Sequence, residues 1–145
     1  MIDKALKIVE QAFHDKMDKG GHPYLHHLIS VSGKLEKTDE IVVGLLHDLL
    51  EDCDEWSEED LRLEFPTNIV DAVVCLTKIK GEKYSDYLNR VKNNSLSLVV
   101  KISDLEDNMD ITRLKELTSK DFDRLQKYHK AYNELKKVLN ENFSK

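Results

Sequence analysis

The stretch Leu45-Leu46-His47-Asp48-Leu49-Leu50-Glu51-Asp52 sets four ionisable side chains in one of the most apolar parts of the sequence. Unpaired carboxylates buried there would cost several kcal/mol each, whereas a bound divalent cation would neutralise them. On a helix Glu51 follows His47 by one turn and Asp48 by three residues, so the four groups can project towards one side and one site. A neutral imidazole beside a carboxylate is a sound first pair of ligands for Mn²⁺, Fe²⁺ or Zn²⁺. Neighbours on one helix cannot complete a coordination sphere, so other helices must supply the rest. His27 is one candidate, and Asp104, set in the apolar run Val99-Val100-Lys101-Ile102-Ser103-Asp104-Leu105, is another. Either alone would be unremarkable, since a single His on a helix face is more often a core or surface residue.

The elements that must hold these groups read as helices nearly throughout. Gly and Pro number only five and two, and apolar residues recur at three- and four-residue steps. Ala5, Ile8, Val9, Ala12 and Phe13 make a first amphipathic helix, which ends in a flexible turn, Asp18 to His22, a candidate binding loop. Pro23 suits the first position of a second helix carrying Tyr24, His27, Leu28 and Val31. Thr38 or Asp39 can cap a third, central helix running from Ile41 through Leu50. Ser57 with Asp60 forms a capping box, Pro66-Thr67 opens a helix to Leu76, and Gly81 breaks the chain after it. Tyr84 to Val91, Leu96 to Met109 and a long helix from about Ser119 complete an all-α bundle. No run combines two-residue alternation with flanking turn signals, so no strand is expected.

Composition narrows what such a bundle can do. A chain of 145 residues, 34% charged and 40% hydrophobic, suits one soluble domain spanning residues 1–145. At that length no second catalytic or regulatory domain is expected. The longest apolar stretch is far short of a membrane span and the N-terminus lacks a secretory pattern, so the expectation is a cytoplasmic protein without membrane contact. Cys53 and Cys75 lack metal or redox spacing and read as free thiols. Twenty-two Lys and Arg against twenty-eight Asp and Glu give a net charge of −6, which disfavours a nucleic-acid partner. Any nucleotide must be met by local cations or by a metal.

The order His27, His47-Asp48, Asp104 resembles the H…HD…D signature of the HD superfamily of metal-dependent phosphohydrolases. Pro23-Tyr24-Leu25-His26-His27-Leu28, Gly44 to Asp52, and Val100 to Asn108 are similar to P-Y-I-x-H-P, A-L-L-H-D-x-x-E-D and V-K-L-A-D-x-x-x-N. Those words belong to the hydrolase domain of RelA/SpoT proteins and its single-domain relatives, of the metazoan SpoT homologue type. The resemblance covers nearly the whole chain and implies an HD-type helical bundle. It implies that His27, His47, Asp48 and Asp104 hold one divalent metal, Mn²⁺ first and Fe²⁺ or Zn²⁺ as alternatives. It makes Glu51 and Asp52 the acidic pair that works on the attacking water, which agrees with the chemistry of a carboxylate beside metal-activated water. Asn108, one turn after Asp104, corresponds to a substrate-contacting Asn. Arg124 and Tyr128, one turn apart on the last helix, match an R-x-x-x-Y pair that contacts nucleotide, and Lys19 matches a Lys that faces phosphates.

Departures from the pattern bear on the substrate. Where the alarmone hydrolases carry Arg-Lys in R-K-S-G, this chain has Asp18-Lys19-Gly20-Gly21, and an aspartate neither stacks on a base nor clamps a phosphate as an arginine does. Phe13 stands where many relatives have His, and Leu28 follows His27 in place of Pro; neither removes a ligand. His14, His22, His26 and His129 read as surface residues, with the Pro23 spacing favouring His27 over His26. The expectation is a metal-dependent phosphohydrolase acting on a nucleotide phosphate or pyrophosphate ester, with guanosine 3′,5′-bis(diphosphate) 3′-pyrophosphohydrolysis as the leading specific reaction. The rival is a metal-binding regulatory or interaction module without turnover, against which the Glu51-Asp52 pair speaks.

Overall fold

A computed structural model describes residues 1–143. They form nine α-helices: α1 (Ile2–Ala12), α2 (Leu25–Gly33), α3 (Thr38–Leu46), α4 (Leu49–Asp52), α5 (Glu58–Glu64), α6 (Thr67–Leu76), α7 (Tyr84–Lys92), α8 (Ser95–Asn108) and α9 (Ser119–Phe143). A 3-10 turn, Ile111–Arg113, joins α8 to α9, and no strand occurs among the described residues. No helix among the described residues is long and apolar enough to cross a membrane.

Helices α3 and α8 form the centre. Val42 to Leu46 of α3 are buried in succession, because α1, α2, α6 and α8 all pack around it. In α8 the run from Leu98 to Leu105 is buried with only Val99 partly exposed, enclosed by α2, α3, α6, α7 and α9. The amphipathic α1 instead buries one stripe, Ala5 and Val9, continued by Phe13 just past its end. Gly44 permits the close approach of α2 to α3: a Cβ there would lie 2.9 Å from Ser32 Oγ and 3.1 Å from Leu35 Cδ1. That approach brings the elements carrying His27 and His47 side by side.

Several local expectations are corrected. The third helix does not run through to Leu50; it ends at Leu46, and α4 restarts at Leu49. The cause is His47, whose Nδ1 donates to Gly44 O at 2.6 Å and so takes the carbonyl that a continuing helix would give to the Asp48 amide. Helix α2 begins at Leu25 with Tyr24 as its N-cap, two residues later than Pro23, and the N-cap of α3 is Lys37, whose amide donates to Glu40 Oε1. The segment Asp18–His22 is a hydrogen-bonded loop: Asp18 Oδ1 accepts from the amides of Gly20 and His22, and Asp18 N donates to His22 O at 2.7 Å. Gly21, at φ +81°, supplies the left-handed residue that closes it. The capping box of α5 is present, with Ser57 Oγ accepting from the Asp60 amide and Asp60 Oδ2 from the Ser57 amide. Cys53 and Cys75 are free.

Candidate metal centre and its cavity

Four side chains from three parts of the bundle converge. His27 comes from α2, His47 and Asp48 from the break between α3 and α4, and Asp104 from α8. His27 Nε2 lies 3.0 Å from Asp104 Oδ1 and 3.6 Å from Asp48 Oδ2. His47 Nε2 lies 3.1 Å from Asp48 Oδ2 and 3.3 Å from Asp104 Oδ1. Ligand atoms of His27, His47 and Asp104 all fall within 4.8 Å of one another, and Asp48 reaches both imidazoles. His27, His47 and Asp104 are buried, and Asp48 is partly so. The helix break matters here, because it turns adjacent residues His47 and Asp48 towards a common point.

The outward ring nitrogens are already committed. His47 Nδ1 faces the Gly44 carbonyl, which can only accept, so that nitrogen carries the hydrogen. His27 Nδ1 faces Asp107 Oδ2 at 2.5 Å in the same sense. Neutral imidazoles in these tautomers direct the Nε2 lone pairs at the carboxylates of Asp48 and Asp104, acceptors facing acceptors. Only a proton or a cation between them resolves that arrangement. Two imidazole nitrogens and two carboxylate oxygens fit a divalent first-row metal, with the hydrogen-bonded outer nitrogens typical of metal-ligating His.

Electrostatics point the same way. Burial pushes the His47 imidazole down, but the carboxylates of Asp48 and Asp104 outweigh it and raise its pKa well above the usual value. His27 is likewise raised despite burial, through Asp104 and Asp107. Burial opposes ionisation of Asp48 and Asp104, yet both are lowered, Asp48 chiefly by His47 and Asp104 by Lys101 and then His47. The cluster therefore draws positive charge to its centre, which a metal ion supplies without protonating the ligands.

A shell of partners holds the carboxylates. Tyr24 donates its hydroxyl to Asp48 Oδ2 at 2.6 Å, Lys101 Nζ donates to Asp104 Oδ2 at 2.9 Å, and Asn108 Nδ2 to Asp104 Oδ1 at 2.9 Å. Asp107, buried, also accepts from Ser30 Oγ at 2.6 Å and pairs with Arg113. Asn108 is thus tied to the cluster and sits at its border, not free of it.

A cavity of about 370 Å³ opens beside the cluster and is lined by Lys19, Asn108, Arg124 and Tyr128, all four of the residues singled out for substrate contact. Three lining groups connect it to the cluster, two of them additional to these four: Tyr24 through Asp48 and Asp107 through His27, with Asn108 through Asp104. Arg124 pairs with Asp121 one turn earlier, and Lys19 adds its charge near the same carboxylate. Glu51 and Asp52 are exposed and are not among the residues lining this cavity. Glu51 Oε1 accepts from the Lys78 amide at 3.0 Å, and among the described residues no side-chain hydrogen bond or ion pair joins the acidic pair to the four clustered residues, although the Asp52 amide donates to Asp48 O at 3.0 Å. The Asp52 carboxyl is nevertheless pushed up to about 6, by loss of solvent and by the charges of Asp48 and Glu51. His14, His22, His26 and His129 are exposed.

Tyr24, Lys101, Asp107 and Arg113 escaped the sequence reading. A Lys and an Asp three apart inside an apolar helix, Lys101 and Asp104, carried a readable signal of a buried pair. Asp107 and Arg113 carried none, because their partners lie on other elements.

The sequence matches the family described as HD domain over residues 5–139. The chain belongs to that family. Among solved structures it is similar to one described as "A metazoan ortholog of SpoT hydrolyzes ppGpp and plays a role in starvation responses", with a TM-score of 0.76 and 20% identity over 99% of this chain and 93% of that one, a likeness of fold. A guanosine-3′,5′-bis(diphosphate) 3′-pyrophosphohydrolase of Borreliella burgdorferi is 39% identical over 82 residues, 54% of this chain and 12% of that protein. A GTP pyrophosphokinase of Streptomyces coelicolor is 30% identical over 125 residues, 77% of this chain and 15% of that protein. The chain therefore corresponds to a small part of each of these curated relatives.

Proposed function

We propose that this chain is a metal-dependent phosphohydrolase acting on a nucleotide phosphate or pyrophosphate ester, with 3′-pyrophosphohydrolysis of guanosine 3′,5′-bis(diphosphate) as the leading specific reaction. The observation that carries the reading is the convergence of two imidazole lone pairs and two carboxylates, hydrogen-bonded through Tyr24, Asp107 and Asn108 to the lining of a cavity that also carries cations. The relatives named for this reaction support it.

His27, His47, Asp48 and Asp104 hold the metal, with Mn²⁺ the leading ion and Fe²⁺ or Zn²⁺ compatible with the same nitrogen and oxygen donors. A divalent ion there supplies Lewis acidity to a phosphoryl oxygen and makes water a better nucleophile at neutral pH. Asp48 is held for this by Tyr24, and Asp104 by Lys101 and Asn108. Asp52, with its carboxyl pushed up to about 6, is suited to take and return a proton near neutrality. Glu51 shares that task from the adjacent position. Lys19 and Arg124 meet phosphate charge, Tyr128 offers a phenol to sugar or base, and Asn108 lies between the metal ligand Asp104 and the substrate.

The test is hydrolysis by the Mn²⁺-loaded protein of a panel of nucleoside mono-, di- and triphosphates, 3′,5′-bisphosphates and guanosine 3′,5′-bis(diphosphate), followed by chromatography of the products. Release of pyrophosphate or phosphate that chelation abolishes and Mn²⁺ restores is expected. A protein that binds metal stoichiometrically yet hydrolyses no member of the panel would be a binding module instead.

A further inference from the structure

The cavity contains a third cation that no motif marks. Arg113 lies on the 3-10 turn after α8 and lines the same cavity as Lys19 and Arg124. That turn is in backbone contact with the Asp18–His22 loop: a Cβ on Gly20 would fall 2.3 Å from Arg113 O. The loop that carries aspartate at position 18 is therefore backed by an element that carries an arginine.

We propose that Arg113 binds a substrate phosphate remote from the one held at the metal centre, and so determines specificity for nucleotides phosphorylated at both ends. This rests on the reading of the site as a nucleotide phosphohydrolase. Asp18 cannot serve that role, since its Oδ1 accepts the Gly20 and His22 amides and its charge repels phosphate. Lys19 and Arg124 both share the field of Asp121. Arg113 also lies among carboxylates, Asp107, Asp110 and Asp18, but of these only Asp107 is paired with it. Its Nη2 engages Asp107, while among the described residues no acceptor takes the hydrogens of Nε or Nη1. Asp107 is almost wholly buried and is also satisfied by His27 and Ser30, whereas the Arg113 side chain keeps 25% of its surface exposed. The guanidinium is thus anchored through Nη2, and its Nε and Nη1 hydrogens remain for the oxygens of a phosphate. An arginine held in place in this way loses little side-chain freedom when phosphate arrives.

The experiment compares Mn²⁺-loaded wild type, Arg113→Met and Arg113→Lys on guanosine 3′,5′-bis(diphosphate) and on guanosine 3′-diphosphate, which lacks the remote phosphates. Metal content is measured by elemental analysis and folding by thermal melt. Arg113→Met should lose roughly 10- to 100-fold in kcat/KM on the doubly phosphorylated substrate, mostly through KM, the scale of a hydrogen bond to a charged group. On guanosine 3′-diphosphate it should stay within about threefold of wild type, and Arg113→Lys should fall between, since it retains charge but not the fixed, planar set of donors. Equal losses on both substrates, with reduced metal content, would overturn the proposal and leave Arg113 as a support for Asp107. An unchanged preference in both variants would overturn it as well. Failure of the wild type to hydrolyse either compound would instead sink the parent reading, and this proposal with it.

Discussion

Replacing Asp107 by Asn tests whether the metal centre depends on the tautomer of His27. The carboxylate accepts on both oxygens: Ser30 Oγ at 2.6 Å and Arg113 on Oδ1, and His27 Nδ1 at 2.5 Å on Oδ2. A carboxamide can accept on one edge only. Two donors meet Oδ1 and one meets Oδ2, so the amide oxygen should stay with Ser30 and Arg113 and the NH₂ should turn to His27. An NH₂ facing Nδ1 requires that nitrogen to become an acceptor, which moves the ring hydrogen to Nε2, the atom 3.0 Å from Asp104 and aimed at the cluster. The apo protein accommodates this exchange well, because Nε2–H then donates to Asp104. The metal does not, since its ligand lone pair is gone.

The expected signature is an affinity loss without a matching stability loss. Metal affinity should fall about 10- to 100-fold, or ~1.4–2.7 kcal/mol. Apo stability should fall by only ~1 kcal/mol, a shift of about 2–8 °C in Tm for a chain of this size. Calorimetric titration with Mn²⁺ gives the first quantity, and melts in excess chelator give the second. Asp107→Asn with wild-type Mn²⁺ affinity would refute the tautomer argument. A collapse of the apo melt would show that Asp107 serves the fold, with His27 incidental to it.

The ligand set predicts that Asp48→Ala loses bound metal by elemental analysis, since no neighbour replaces its charge. In the same assay His27→Ala should lose metal and His26→Ala should not, as His26 is exposed and His27 faces the cluster; the reverse would move the ligand by one position. Glu51→Gln should retain metal and melting temperature while kcat drops ~10²- to 10⁴-fold, and an unchanged kcat would remove Glu51 from the chemistry. For pH, Asp52 is protonated below and ionised above its raised pKa of about 6, so activity that needs its carboxylate should rise with pH through that region. The charge of a bound cation draws the midpoint lower, and Asp52→Asn should flatten the limb; an identical limb in the variant would assign it elsewhere.

The sequence made the helices legible where periodicity and caps were strong. Ser57 and Asp60 start α5, and α9 begins at Ser119. It did not disclose the break after Leu46, because Leu45, Leu46, Leu49 and Leu50 keep helical spacing across it. The break arises from the His47 side chain competing for the Gly44 carbonyl, which no hydrophobic pattern records. The four converging residues were legible because two stood together in an apolar run and the others fell into a known order. Asp107 was not, since its role is set by His27, Ser30 and Arg113, which only the packing of α2, α8 and the 3-10 turn brings together.

The polar content of α8 shows how a buried helix can serve both core and site. Ser97, Lys101, Ser103, Asp104 and Asp107 are all buried. Each finds a partner: Ser97 Oγ donates to Ala72 O at 3.0 Å, Ser103 Oγ to Val31 O at 2.8 Å, and Lys101 to Asp104. The two serines tie α8 to α6 and α2 and fix its rotation, which sets where Asp104 and Asp107 point. Lys101 is a different case. A buried ion pair adds little net stability over well-packed apolar side chains, so the Lys101–Asp104 pair is not explained by folding alone. Its effect falls on the cluster, where the ammonium offsets part of the charge of Asp104 and moderates its pull on a divalent ion. Without that offset, repulsion between the two carboxylates would work against holding Asp48 and Asp104 around the same two imidazoles. With it, the carboxylates stay ionised in a buried setting and remain able to receive a cation.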